Sequence, residues 1–137
     1  MLYPVKLTRD GPFFMASFPD IPEALTQGDT REDALAHAAD ALETALDHYL
    51  EAGIPVPAPS APRRSQPVVA LRPLAAAKAL LHNELLAQKV RPAELARRLH
   101  MPRQNVNRLL DRRHSTSIDS LASALAVLGK QLEVTIR

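Results

Sequence analysis

The twenty residues from Arg91 to Leu110 (RPAELARRLHMPRQNVNRLL) restrict what this chain can fold into more than any other stretch. Pro92 suits the first position of a helix, where its missing N–H costs nothing. Leu95, Ala96 and Leu99 then share one face, and Val106, Leu109 and Leu110 share one face of a following helix. The spacing predicts two short amphipathic helices joined by a tight turn around His100–Pro102. Arg103, Gln104, Asn105, Asn107 and Arg108 are left pointing outward on the second. This is the layout of a helix-turn-helix, whose second helix enters the DNA major groove. Arg pairs bidentately with guanine, and Gln or Asn with adenine, so the outward face has the chemistry to read bases. Arg97, Arg98, Arg112 and Arg113 flank that helix and are candidates for phosphate contacts. A plain helical hairpin with a solvated basic rim has the same spacing, and base-reading chemistry is what tips the reading towards DNA.

Upstream, Tyr3, Val5 and Leu7 alternate along an expected strand from Leu2 to Thr8, Asp10-Gly11 marks a turn, and Phe13–Phe18 returns as a second strand. A third short strand is expected around Ala24–Gln27, ending at Gly28. Thr30 is placed to cap a helix, with Asp33 three residues on. Leu35, Ala38, Leu42, Ala45, Leu46 and Tyr49 form its apolar stripe, and Gly53 is its expected stop. Residues 53–67 hold five prolines and read as an extended connection. Val68–Leu71 looks like a further strand. The fold class is therefore α+β. A β-β-β-α-β layer occupies residues 1–71, and an all-α body with a short closing strand occupies residues 72–137. In the second part Leu74, Ala77, Leu80/Leu81 and Leu85 mark a first helix. Thr116 is the expected cap of the last helix, which carries Ile118, Leu121, Leu125 and Leu128 and stops at Gly129. Gln131–Arg137 alternates like a half-buried strand, which pairs either with a second copy of the chain or with its own body.

Charge divides the chain. Residues 1–60 carry three basic side chains against ten acidic, and residues 61–137 carry fourteen basic against five acidic. The basic part suits phosphate backbones, and the acidic part favours a basic protein. There is no cysteine, so disulfides and thiolate metal sites are excluded. His37, His48, His82, His100 and His114 lack ligand-like spacing and read as surface or incidental residues. Asp10, Asp20 and Asp29 each have a turn or capping role and form no paired set of acids on neighbouring strands. Four glycines leave no phosphate-cradling loop. The expectation is a protein that is not an enzyme and needs no cofactor or metal. With no run of about 18 apolar residues and no leader-like start, it is expected in the cytoplasm and away from membranes.

Tyr3-Pro4-Val5, then Phe18-Pro19-Asp20-Ile21-Pro22-Glu23-Ala24-Leu25-Thr26-Gln27-Gly28-Asp29-Thr30, then Asp33-Ala34 opening the striped helix, closely resemble the HicB antitoxins of bacterial type II toxin–antitoxin systems. The likeness spans essentially the whole chain, since a HicB-like domain followed by a helix-turn-helix is one of the family's two layouts. It implies a truncated ribonuclease-H-like first domain that binds and blocks a small basic HicA-type toxin, an mRNA ribonuclease. It also implies a second domain that binds operator DNA as a homodimer or higher oligomer and represses the operon. Two departures stand out: His100 occupies a turn position often held by Gly, where a positive φ is expected, and Pro102 replaces the usual Ser or Thr cap. Toxin contacts are placed on Asp40, Glu43, Asp47 and Glu51, acids three or four apart on one helix flank; a plain solvated face satisfies that spacing equally. A stand-alone regulator whose first domain senses a small ligand remains the alternative.

Overall fold

A computed structural model describes residues 1–137 as an α+β chain. In order come β1 (Leu2–Pro4), β2 (Lys6–Asp10), β3 (Phe13–Ser17), β4 (Leu25–Gly28), α1 (Arg31–Ala52), β5 (Val68–Ala70), α2 (Pro73–Gln88), α3 (Pro92–Leu99), α4 (Arg103–Leu110) and α5 (Ile118–Val127). The chain divides into two compact units. One comprises Met1–Tyr49 with Pro57–Arg72, the other Leu50–Val56 with Pro73–Arg137.

In the first unit, β2, β3 and β4 form an antiparallel sheet in that order, and β1 pairs antiparallel with β5, Tyr3 opposite Val69. The single strand expected over Leu2–Thr8 is thus two strands serving different partners. The break falls at Val5, between Pro4 and Lys6. At Val5 the N–H donates to Pro67 O (2.9 Å) and the carbonyl accepts from Gln66 Nε2 (3.3 Å), so the returning proline-rich segment takes both backbone groups. That segment has no regular structure of its own but is tied down. Tyr3 Oη donates to Pro57 O (2.6 Å), and the N–H and Oγ of Ser60 both donate to Asp20 Oδ2 (2.9 and 3.0 Å).

α1 begins as its sequence predicts, with Asp33 N–H donating to Thr30 Oγ1 (3.0 Å). Gly28, at the end of β4, lies against that first turn: a Cβ there would sit 2.4 Å from Ala34 N, so only glycine fits. Ala34, Ala38, Leu42, Ala45, Leu46 and Tyr49 are its buried stripe, and the helix stops at Gly53 with φ +66°. Leu35, expected in that stripe, is only half-buried.

The second unit is built around Ala77, Leu81, Leu85, Leu95, Val106, Leu109, Leu121 and Leu125, which form one contiguous core from four helices. Leu50–Val56 belongs to this unit because α2 holds it: Asn83 exchanges two hydrogen bonds with the Val56 backbone (2.8 and 2.9 Å), and His82 Nε2–H donates to Ile54 O (2.8 Å). His82 is therefore buried and structural, contrary to its reading as incidental. Ser117, not Thr116, caps α5, accepting from Ser120 N–H (3.1 Å). The closing segment 131–137 forms no strand within the chain: Leu132 packs on the helical core, while Val134 and Ile136 stand in solvent.

Burial raises Tyr3 Oη to about 12, with Asp20 adding to the shift. Tyr49 is raised to about 12 by burial first and then by its hydrogen bond to the Glu23 carboxylate. The folded state favours neutral phenols, so their contribution to stability is complete below the unfolded value of 10.0 and is lost as pH rises towards about 12. The chain has two tyrosines and no tryptophan. Its phenolate absorbance in alkaline titration is therefore expected to stay flat through pH 10 and rise only near unfolding. Half-ionisation at pH 10 with the fold intact would contradict this placement.

Candidate nucleic-acid interface

α3 and α4 meet through a turn whose geometry is set by backbone rather than by side-chain caps. Neither Arg91 nor Pro102 supplies a capping side chain. At the end of α3, His100 adopts the left-handed conformation (φ 53°, ψ 44°) expected of that position. Its N–H donates to Arg97 O (3.2 Å) and the next N–H, of Met101, to Ala96 O (3.1 Å). This pair of bonds is a Schellman motif with His in the glycine position. It ends α3 sharply and lets Pro102, with φ −61°, start α4 two residues later.

On α4, Val106 and Leu109 are buried, whereas Arg103, Gln104, Asn105, Asn107 and Arg108 are all exposed. At about 100° per residue, Gln104 stands nearly opposite the buried side, Asn107 and Arg108 flank it, and Arg103 and Asn105 border the core face. Beside Asn105 and Arg108 opens a groove of about 250 Å³, also lined by His114, Ser115 and Ser117. The five side chains selected from the sequence thus form one continuous polar face.

The flanking arginines are more constrained. Glu94 binds Arg97 through both carboxylate oxygens and Arg98 through Nε (3.1 Å). Those hydrogen bonds, Arg97 first, hold its carboxyl down to about 2. Arg113 folds back on Asp111, its N–H donating to Oδ1 at 3.0 Å and its Nε at 3.4 Å, and Arg112 is half-buried. Glu94 leaves the more exposed Arg97 fixed in direction on the surface of α3.

One residue that holds this surface together is absent from the sequence reading. Lys78 of α2 is fully buried, and its Nζ donates to Arg108 O (3.0 Å), Asp111 O (2.6 Å), His114 O (2.6 Å) and Thr116 Oγ1 (3.0 Å). Three N–H bonds serve four oxygens, so one is shared. Arg108 O is among the last carbonyls of α4, which lack helical partners, and a cation there also meets the negative end of the helix dipole. Burial pushes the ammonium below its usual pKa, with Asp111 opposing. The signal was present: Leu74, Lys78, Leu81 and Leu85 follow one another at helical spacing, so Lys78 stands in the apolar stripe.

The four acids expected to meet a toxin do not form a free row on α1. Glu43 is buried, forming an ion pair with the Arg72 guanidinium (Nε to Oε1 2.9 Å) and accepting from Arg72 N–H (3.3 Å), while the exposed Asp40 pairs with the same arginine at 3.1 Å. Asp47 is half-buried, and Glu51 lies exposed in the last turn. Glu43 is thus occupied in tying α1 to the end of β5.

A family model described as the HicB-like antitoxin of bacterial toxin–antitoxin systems matches residues 2–80. The chain belongs to this antitoxin family. It is 48% identical to Antitoxin HicB 2 of Photorhabdus laumondii over 134 residues, covering 98% of this chain and 95% of the relative. It is also 41% identical to Antitoxin HicB of Escherichia coli K12 over 138 residues, 99% of each. Antitoxin HicB of Pseudomonas fluorescens matches at 41% over 121 residues. The first two alignments run through both units. No helix is long and apolar enough to cross a membrane.

Lys78→Met keeps the length and removes the donors, leaving Asp111 O without its side-chain partner and Arg108 O and His114 O with only the long contacts from Thr116 Oγ1 (3.5 and 3.4 Å). The expected loss is about 2–4 kcal/mol in urea unfolding followed by helical signal. A loss below about 0.5 kcal/mol would mean that desolvating the ammonium cancels its bonds.

Proposed function

We propose that this chain is an antitoxin that neutralises a HicA-type mRNA ribonuclease by direct binding, and that it represses its own operon through operator DNA. The observation that carries this reading is the near-full-length likeness to antitoxins together with a continuous polar face on α4. In this reading α3 and α4 are a helix-turn-helix, and two copies set their α4 helices about one DNA turn apart on a palindromic operator. Gln104, Asn107 and Arg108, at the centre of the face, read base edges; Arg103 and Asn105 work at its margin. Arg97, Arg98, Arg112 and Arg113 meet phosphates. For Arg97 and Arg98 the Glu94 carboxylate supports this by fixing their direction, at the cost of neutralising part of their charge.

The first unit, a truncated ribonuclease-H-like layer with one helix, binds the toxin and excludes RNA. Its charge supports a basic partner, though less than the sequence halves suggested. Counted by unit, Met1–Tyr49 with Pro57–Arg72 carries six basic against nine acidic side chains, and the other unit eleven against six. Asp40, Asp47 and Glu51 stay candidate toxin contacts, while Glu43 acts through Arg72. The protein works in the cytoplasm, without catalysis or a cofactor of its own.

Gln104→Ala is expected to cost about 1–3 kcal/mol on operator DNA and to relax specificity at one base pair. Arg112→Ala is expected instead to weaken all sequences alike and flatten the salt dependence. Both are read by fluorescence anisotropy on operator and scrambled duplexes across a salt series. Equal loss for Gln104→Ala on both duplexes would remove it from base reading.

A further inference from the structure

We infer that the first unit holds a binding site for a small phosphorylated molecule of mononucleotide size, in the groove where the proline-rich segment returns past the junction of β1 and β2. The site concerns neither the toxin nor the operator and stands apart from both readings above.

The groove encloses about 380 Å³, within the range of about 300–1,000 Å³ usual for small-molecule sites. Lys6, Arg63 and Gln66 give it polar lining, and Pro4, Pro19 and Ala61 apolar lining. They come from three separated stretches of sequence, all within the first unit. Its walls are tied in place. Val5 N–H donates to Pro67 O (2.9 Å), Gln66 Nε2 donates to Val5 O (3.3 Å), and Ser60 donates twice to the Asp20 carboxylate that follows Pro19. Arg63 and Gln66 close a turn on each other: Gln66 N–H donates to Arg63 O (3.0 Å), and Arg63 N–H to Gln66 Oε1 (2.9 Å). Little chain therefore has to be ordered when a ligand enters, which removes one of the main costs of binding.

What the groove gathers is donors. The Lys6 ammonium and the Arg63 guanidinium make no hydrogen bond or ion pair within the chain, and Gln66 Nε2 keeps one proton beyond the one given to Val5. Other cations of this unit are placed differently. Arg72 is held by Glu43 and Asp40, Arg9 by Gly11 O and the Phe14 ring, and Arg31 and Arg64 stand exposed outside the groove. Asp20, bound by Ser60, does not line it. Two unpaired cations thus share one recess of a unit that carries nine acids against six bases, and an anion from outside satisfies them. A phosphate monoester carries about −1.5 to −2 charge at pH 7, which matches both, and its oxygens accept from the planar Arg63 fork in pairs. The oxyanion fills only a small part of the volume. Pro4, Pro19 and Ala61 offer the remainder to an organic body.

Calorimetry on the full chain in phosphate-free buffer tests this, with adenosine monophosphate, inorganic phosphate and adenosine as probes. The monophosphate is expected to bind at least about tenfold more tightly than phosphate, because cations and walls both contribute, and adenosine not measurably. Lys6→Gln and Arg63→Gln are each expected to weaken the monophosphate about tenfold, since each removes a charge-assisted hydrogen bond. Both positions are exposed, so the melting temperature should stay at the parent's value. Arg64→Gln, next in sequence but outside the groove, and Arg108→Gln, on the face of α4, are expected to change binding less than about twofold. Equal affinities for phosphate and the monophosphate would remove the organic body from the site. A loss for Arg108→Gln as large as that for Arg63→Gln would move the phosphate to α4. Either result, or no binding of the monophosphate at millimolar concentration, would overturn the inference.

Discussion

The arrangement of the helical unit depends on one ammonium group. Burying a charge is costly unless it is paired and hydrogen-bonded, and Lys78 meets that condition chiefly by donating hydrogen bonds to three main-chain carbonyls and a hydroxyl, with the Asp111 charge nearby. Those oxygens belong to the end of α4 and to the loop that leads to α5, while the lysine belongs to α2. The bond set therefore fixes the far end of α4 just as the Schellman turn at His100 fixes its near end. With no side-chain cap at Arg91 or Pro102, the outward face of α4 is held by backbone-directed contacts at both ends. That leaves its polar side chains free of structural duty, which is the condition for a surface that reads another molecule.

Much of this was legible in the sequence because the elements are periodic. The leucine spacing of α3 and α4, the Thr30 cap, the Asp10-Gly11 turn and the glycine stops at 53 and 129 each follow from local rules. What local rules missed was decided at long range. Val5 breaks the first strand because a segment sixty residues away takes its backbone groups. Ser117 displaces Thr116 as the cap of α5 because Thr116 is already engaged by Lys78. Glu43 looked like one of a row of solvent-facing acids, but Arg72, which sequence alone does not bring near, holds it. The face of α4 was visible because exposure alternates with burial on a single helix; the firmness of its mounting was not, because that rests on one lysine in an apolar run.

The family places this architecture in toxin–antitoxin biology. The two units differ in the sign of their charge, and each offers a distinct chemistry: a sheet whose single long helix has its acids partly engaged internally, and a helical body with a basic, amide-rich face. On the proposed reading these serve two partners, a basic ribonuclease and a DNA backbone, from separate parts of one chain. If so, the two activities should be separable by substitution.

That separability is the central claim, and growth rescue tests it most directly. Cells would express a HicA-type ribonuclease, the proposed partner, together with the full chain carrying Gln104→Ala and Arg108→Ala. The account predicts rescue equal to that by the parent chain, with operator occupancy lost in the same cells. Failure of the parent to rescue, or loss of rescue by the variant at undiminished folded level, would contradict it.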